Sequence, residues 1–205
     1  MNKSQLTNFI TKYTLGGEIK STKWTSNGTS LSTRFISGDK SVVGKVELNK
    51  FSHLSPCELG VYNTGQLSSL LSVLGDDIDV NLSQSGDKFI SMEFEDTNRK
   101  TKSKYMLSDL SVIPTPPALK NLPDSFELGI KVDPYFVNTF ISGKGALSEA
   151  ETFTILTENG ETKIVIGYAS IASNRVTIPV ETTKNAEIEP ISFNANMFAS
   201  ILNAN

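Results

Sequence analysis

Residues 62–77 read YNTGQLSSLLSVLGDD and carry the clearest helical pattern in the chain. Asn63 is a suitable N-cap with Gln66 three residues later, and Gly75 follows the pattern where a helix commonly ends. Four leucines recur at i, i+3, i+4 and i+7, which is the spacing of one helix face. They are Leu67, Leu70, Leu71 and Leu74. The pattern predicts an amphipathic helix from Asn63 to Leu74.

Three more segments show the same period and similar boundaries. The predicted helices are Ser4–Leu15, a helix capped by Asp133 and ended by Gly143 and Gly145, and one that opens at Asn194. The four begin near residues 4, 63, 134 and 194, at intervals of 59, 71 and 60 residues. We interpret them as a repeated unit of one helix plus several strands. Chance is the alternative, because short helices flanked by Asn and Gly are common.

The segments between the helices alternate apolar and polar residues as strands do. Turns at Ser85-Gly86-Asp87 and Asn159-Gly160 predict antiparallel hairpins rather than parallel crossovers. The predicted fold class is therefore α+β, with two similar domains that each pack two helices on antiparallel sheets.

A proline-rich segment separates the two halves. Residues 113–124 contain four of the eight prolines, which favours an extended connector. The predicted domains are 1–113 and 125–205, joined by the connector 114–124.

The composition excludes several classes of protein. The 205 residues are 38% apolar with a net charge of −3, and no apolar run is long enough to span a membrane. No secretory signal is evident at the start. One cysteine, Cys57, and one histidine, His53, allow neither an internal disulfide nor a His/Cys metal site. A reducing compartment is expected.

Catalytic motifs are missing from the sequence. There is no G-x-S-x-G, H-E-x-x-H or P-loop string, and Gly143-Lys144-Gly145 lacks the rest of a phosphate-binding loop. Acids at 76–79 are more typical of a turn than of a cation site. Cys57 and His53 lie four residues apart without an evident third group. We expect no enzyme activity, no cofactor and no metal.

Residues 62–77, continued by Ile78-Asp79-Val80 and a glycine-containing hairpin, resemble the first domain of DNA sliding clamps, most closely the processivity factors of T-even-type phages. The second half is similar in its order of elements, from Val132-Asp133-Pro134 to the segment 191–198. The resemblance implies a homotrimeric ring that encircles double-stranded DNA without sequence specificity and tethers a DNA polymerase. It also implies a clamp loader, and a phage-encoded replication protein associated with the nucleoid in the host cytoplasm.

One departure concerns the second domain. Members of the family continue after the fourth helix with a final pair of strands, whereas the last residue of this sequence is Asn205. The expectation is that the last strands of the second domain are missing, through truncation, or that another element replaces them.

The resemblance places helices around the DNA, and phosphate contacts then require basic side chains near those helices. The candidate DNA-facing residues are Lys3, Lys12, Lys20, Lys131 and Lys144. For each lysine alone, an ordinary solvated surface position is the alternative.

The segment 99–104 forms a basic strand with Arg99, Lys100, Lys102 and Lys104. It would direct a positive field at DNA or at an acidic partner, or it would be a charged, protected sheet edge.

Clamps of this family bind partner peptides in an apolar pocket beneath the interdomain connector. The candidate pocket residues by position are Ile36, Val42, Val43, Leu119 and Leu122. Ordinary core positions are the alternative for the two valines.

Two other functions fit parts of the pattern. A virion structural or adhesion protein of duplicated β-rich domains would explain the strands and the lack of catalytic motifs. It would not explain four helices at matching positions. A small-ligand α+β enzyme would need a polar pocket that no motif supplies.

Overall fold

A computed structural model describes residues 1–118, 123–169, 171 and 173–204 of the chain. They form a mixed α+β fold with antiparallel sheets, which confirms the predicted fold class at that level. The helices are α1 Lys3–Thr14, α2 Thr64–Ser72, α3 Pro134–Ala146 and α4 Ala195–Asn203. The strands are β1 Thr22–Ser26, β2 Ser30–Ile36, β3 Val43–Asn49, β4 Cys57–Val61, β5 Ile78–Ser85, β6 Lys88–Asp96, β7 Lys102–Met106, β8 Gly129–Ile130, β9 Thr152–Glu158, β10 Glu161–Ile166, β11 Val176–Pro179, β12 Thr182–Lys184 and β13 Ile191–Asn194. None of the helices in these residues is long and apolar enough to cross a membrane.

The chain divides into two compact units, Met1–Leu119 and Lys120–Asn203. The first contains a sheet of order β3-β2-β1-β4, and the second contains a sheet of order β11-β10-β9-β13. In both, a helix precedes the hairpin, the fourth strand returns to pair with the first, and a second helix follows. The two units therefore repeat one topology.

The core of the first unit lies between its two helices and this sheet. Leu6, Phe9 and Tyr13 of α1 are buried, and Phe9 and Tyr13 meet the ring of Trp24 edge to face. Each fully buried aromatic of this kind stabilises the fold by roughly 2–3 kcal/mol. The helices are short, so this burial, rather than propensity, holds them in place.

A second sheet, of order β5-β6-β7, completes the first unit. It joins the first sheet where the Ser108 N–H donates to the Gly60 carbonyl oxygen at 2.9 Å. The buried carboxylate of Asp96 accepts a hydrogen bond from the Gly75 N–H at 2.7 Å and so ties β6 to the end of α2. Strands β5 to β7 thus cover β4 and α2.

The second unit has an aromatic core. Phe136 and Phe140 of α3, Phe153 of β9 and Phe198 of α4 lie with ring centroids 4.8–6.4 Å apart. A separate pair of strands, β8 and β12, lies beside them in this unit. These contacts hold α3 and α4 together, as the aromatic cluster around Trp24 holds α1.

The predicted helix caps are confirmed. Side-chain oxygens of Asn63, Asp133 and Asn194 accept hydrogen bonds from backbone N–H groups in the first turns of α2, α3 and α4, at 2.8–3.0 Å. The turns at Gly86 and Asn159-Gly160 are also confirmed, with positive φ at all three residues.

The predicted end of α3 is wrong. The helix continues through Gly143 and Gly145 to Ala146. Gly143 is buried, and a Cβ atom there would lie 3.0 Å from a methyl carbon of Val176. The glycine therefore permits close packing of α3 on β11 instead of ending the helix.

Candidate nucleic-acid interface

The helices of both units turn a neutral polar face to solvent. On α1 the exposed side chains include Gln5, Asn8 and Thr11, and on α2 they include Gln66 and Ser69. On α3 and α4 they include Asn138 and Asn196. Opposite each of these faces lies the apolar stripe that packs on the sheet.

None of the four helices contains an acidic residue. The chain has 22 Asp and Glu residues, and all lie outside α1 to α4, although these helices hold about a fifth of the chain. Three lysines lie within them, Lys3, Lys12 and Lys144. The helices are therefore net positive in a chain whose net charge is −3.

Helix stability does not explain this distribution. An acidic side chain in the first turn interacts favourably with the positive end of the helix dipole, and Glu three residues after an N-cap is a common stabilising choice. None of the four helices has an acidic residue in its first turn. Their absence therefore needs an explanation other than helix stability.

The lysines proposed to face DNA fall into two groups by unit. Lys12 is half-exposed in the last turn of α1, and Lys20 is exposed shortly after it. Lys3 is nine residues before Lys12, or two and a half turns, so the two flank the buried stripe on opposite sides. The Lys3 ammonium donates to the Leu74 carbonyl oxygen at the end of α2. In the first unit, Lys12 and Lys20 therefore present the more available charges.

The two lysines of the second unit have partners in their own unit. The Lys144 ammonium donates to the Ser148 carbonyl oxygen at 2.8 Å, beyond the end of α3. Lys131 forms an ion pair with Glu181 at 3.0 Å, and this hydrogen bond raises the pKa of Lys131. Both groups are at the surface, where such contacts exchange readily with other anions.

The hydroxyl groups of the helix faces are poor donors to an external ligand. Thr11 donates to the Thr7 carbonyl oxygen at 2.9 Å, Ser69 to Gly65 at 3.0 Å and Thr139 to Tyr135 at 2.8 Å. The exposed amides of Asn8, Gln66, Asn138 and Asn196 remain as neutral donors. The sequence prediction named only lysines as DNA-facing residues. Counting the acidic residues within each predicted helix would have shown that all four helices lack them.

The predicted basic strand is shorter than expected, because Arg99 and Lys100 lie in the turn before β7. The two lysines on β7 are paired with acids of the neighbouring strand. Lys102 lies 3.0 Å from Glu95 and Lys104 lies 2.8 Å from Glu93, directly across β6 and β7. Hydrogen bonds from the lysines lower the pKa of both glutamates. The arrangement favours a charged, protected sheet face over a field directed at DNA.

The candidate peptide pocket is only partly described. Ile36 and Val43 are half-buried and directly opposite each other on β2 and β3, and Val42 is half-buried beside them. Leu119 and Leu122 lie outside the described residues.

The start of the connector lies over the same sheet face. Lys23 donates to the Thr115 hydroxyl at 3.0 Å, and Arg34 donates to the Pro116 carbonyl oxygen at 2.9 Å. Arg34 is two residues from Ile36 on β2, so both side chains share one face. These two basic anchors were not predicted from the sequence.

The positions weighed for catalysis have structural roles. The ring of His53 packs edge to face on Phe51, with the two ring centroids 5.3 Å apart. Burial raises the pKa of the Cys57 thiol, which disfavours a reactive thiolate. Gly143-Lys144-Gly145 lies within the last turns of α3. Among the described residues, no group of three or more His, Cys, Asp and Glu side chains could hold a metal ion.

Comparison with models of known protein families gives no match, and no curated protein sequence is significantly similar to this chain. Its function is therefore inferred from its own residues and their arrangement.

Proposed function

We propose that the chain is a subunit of a DNA sliding clamp, a non-enzymatic ring that encircles double-stranded DNA and tethers a replicative polymerase. In this proposal three copies form the ring, a clamp loader places it on DNA, and the chain is a phage protein acting at the nucleoid in the host cytoplasm. Two similar domains, each with two helices on antiparallel sheets, would form the clamp fold.

The repeated topology supports this proposal. Both units follow the order helix, hairpin, third strand, returning fourth strand and helix. A ring built from copies of one unit needs a similar helix-bearing face at each position around the hole. Two matched units in each chain would supply such faces.

The observation that carries the proposal is the exclusion of acids from all four helices. Duplex DNA carries a dense row of phosphate charges, so an acid facing it is repelled at every position along the strand. Sliding further requires contacts that carry no sequence information and exchange easily. Neutral amides with a few lysines meet both requirements.

The alternative of a virion structural or adhesion protein uses the duplicated sheets equally well. Such a protein would have no reason to avoid acids in its helices, because helix stability alone favours them in the first turn. No contact among the described residues of either unit favours that alternative.

The experiment places acids on the helix faces without changing side-chain size. Asn8→Asp, Asn138→Asp and Asn196→Asp lie on three different helices, and Asn159→Asp in the β9–β10 turn is the matched control. Purified protein is mixed with linear duplex whose ends are blocked either before or after mixing, and the DNA retained after dilution is measured.

DNA should be retained only when its ends are blocked after mixing. A closed ring must first thread over a free end, and the block then traps the ring on the DNA. The triple helix variant should retain about tenfold less DNA, or lose more, since each added charge opposes phosphate contact. The control variant should match the unaltered protein. Equal retention by the triple variant, or equal retention with ends blocked before mixing, would reject the proposal.

A further inference from the structure

The two units carry Asn-Gly pairs at the same place in their repeated topology. Asn27-Gly28 lies in the turn between β1 and β2, and Asn159-Gly160 lies in the turn between β9 and β10. In each unit these are the two strands that follow the first helix. No other asparagine of the chain precedes a glycine. Asn-Gly suits tight hairpin turns because both residues tolerate positive φ.

The same pair of residues has a chemical consequence. Glycine has no Cβ, so its backbone nitrogen can come close to the side-chain amide carbon of the asparagine before it. Attack by that nitrogen requires a side-chain amide that is free to turn and an amide N–H that is not engaged elsewhere. The two turns can therefore be compared on these two groups.

In the first unit both groups are engaged. The Asn27 side-chain oxygen accepts hydrogen bonds from the N–H and the hydroxyl of Thr29, at 2.9 and 3.0 Å, and from the Ser30 N–H at 2.7 Å. The Gly28 N–H donates to the hydroxyl oxygen of buried Ser26 at 3.1 Å. These contacts hold the Asn27 amide away from the Gly28 nitrogen.

In the second unit both groups are available. Asn159 and Gly160 are exposed, with φ of 55° and 76°. The described part of the chain offers no hydrogen-bond partner to the Asn159 side chain or to the Gly160 N–H, although the Gly160 carbonyl oxygen accepts from Asn185 at 3.1 Å. A Cβ atom on Gly160 would have no described atom within 4 Å. The turn therefore has room for the ring that the reaction forms.

We propose that Asn159 is a site of spontaneous deamidation and that the matching Asn27 is protected by its hydrogen bonds. The Gly160 backbone nitrogen, having given its proton to water or buffer base, attacks Cγ of Asn159. The bond from Cγ to the side-chain nitrogen breaks, and that nitrogen takes a proton from water and leaves as ammonia. A cyclic succinimide remains.

Water then opens the succinimide at either of its two carbonyl carbons. One opening gives aspartate, and the other gives isoaspartate, in which the chain runs through the former side-chain carbon. The net reaction consumes water and releases ammonia, with no oxidation or reduction. This proposal does not depend on the proposed clamp function.

Both products change the end of the β9–β10 hairpin. Each adds a negative charge between Glu158 and Glu161, which face each other where the two strands meet the turn. Lys163 lies 3.5 Å from Glu158 and 3.8 Å from Glu161 and offsets part of that charge. Isoaspartate also lengthens the backbone of a two-residue turn, so it no longer fits the geometry that aligns the strands.

The test follows both asparagines in one sample of the full chain. The folded protein is incubated in a mildly alkaline buffer and digested, and the two Asn-Gly peptides are measured by mass spectrometry and by an isoaspartate assay. Asn159 should convert at least about tenfold faster than Asn27, because the Asn27 amide must first release several hydrogen bonds. Equal conversion, or faster conversion of Asn27, would overturn the proposal.

The unfolded chain is the control for the role of the fold. In concentrated denaturant the hydrogen bonds of Asn27 are lost, and the two asparagines should convert at similar rates. A difference that persists in denaturant would show that neighbouring residues in the sequence set the rates, and would overturn the proposed protection.

A pair of variants checks the source of the charge change. Asn159→Gly keeps the turn, since Gly-Gly supports the same hairpin geometry, and should abolish the acidic species that accumulates on ion exchange. Asn27→Gly is the matched control and should leave that species unchanged. Persistence of the acidic species in Asn159→Gly would overturn the proposal. The comparison of the two asparagines uses only the unaltered protein, so it holds even if a variant does not fold.

Discussion

At the scale of single residues, Gly44 leaves room for an aromatic ring. Gly44 lies opposite Phe35 across β2 and β3, and a Cβ atom on it would come within 2.9 Å of several ring carbons. Gly44→Ala should therefore lower the free energy of unfolding by about 1–3 kcal/mol through overpacking. Urea denaturation measures the change.

Gly38→Ala is the control for this prediction. No described atom lies within 4 Å of the place where its Cβ would be, so the substitution should leave the unfolding midpoint unchanged or slightly raised. Equal destabilisation by the two alanines would show that backbone freedom, not the Phe35 ring, requires glycine at residue 44.

A second prediction concerns the buried Tyr13 hydroxyl. Trp24 donates to it at 3.3 Å, the Thr64 hydroxyl lies 3.2 Å away, and burial raises the pKa of Tyr13 well above its ordinary value. Tyr13→Phe should lower the free energy of unfolding by about 1–2 kcal/mol near neutral pH, because it leaves buried polar partners unsatisfied.

The same group makes stability depend on alkaline pH. In the unfolded chain Tyr13 loses its proton near pH 10, while in the folded protein it keeps it, so stability falls as the pH rises above about 10. Tyr13→Phe should lose less stability between pH 8 and 10.5 than the unaltered protein, whereas Tyr62→Phe, at an exposed tyrosine, should behave like the unaltered protein. An unchanged pH slope in Tyr13→Phe would contradict this assignment.

Features that depend on neighbours in sequence were predictable, and features that depend on distant partners were not. The caps at Asn63, Asp133 and Asn194 follow from local chemistry and are confirmed. Gly143 looked like a helix end because its close neighbour, Val176, lies on a strand far along the chain. The acids that pair with Lys102 and Lys104 became visible only with the register of β6 and β7.

At the scale of elements, the first turns of α1 and α2 permit a test in which stability and function change in opposite directions. Gln5 and Gln66 each occupy the third helical position after an asparagine N-cap. Glutamate there should raise the free energy of unfolding by about 0.3–1 kcal/mol per site through the helix dipole. If these faces meet DNA, the same substitutions should reduce retention on duplex DNA.

The exposed Gln84 of β5 provides the matched control, since Gln84→Glu adds one charge outside the helices. It should change neither stability nor DNA retention appreciably. A doubly substituted protein, Gln5→Glu with Gln66→Glu, that is more stable and retains DNA normally would show that the helices lack acids for a reason other than DNA.

The elements themselves were mostly visible in the sequence. The helices begin at Lys3, Thr64, Pro134 and Ala195, each within one residue of the predicted start. The pairing of β8 with β12 was not predicted, because two- and three-residue strands carry no usable alternation. The candidate site was predicted only in part, since lysines were counted and acids were not.

At the scale of the whole molecule, the proposed ring predicts a defined assembly. Three copies of a chain with two repeated units would place six similar units around one axis, and a head-to-tail interface whose rotation closes forms a ring without free ends. Sedimentation of the 22.3 kDa chain should therefore show a species of three times that mass. A monomer or a dimer at the highest soluble concentration would contradict the ring.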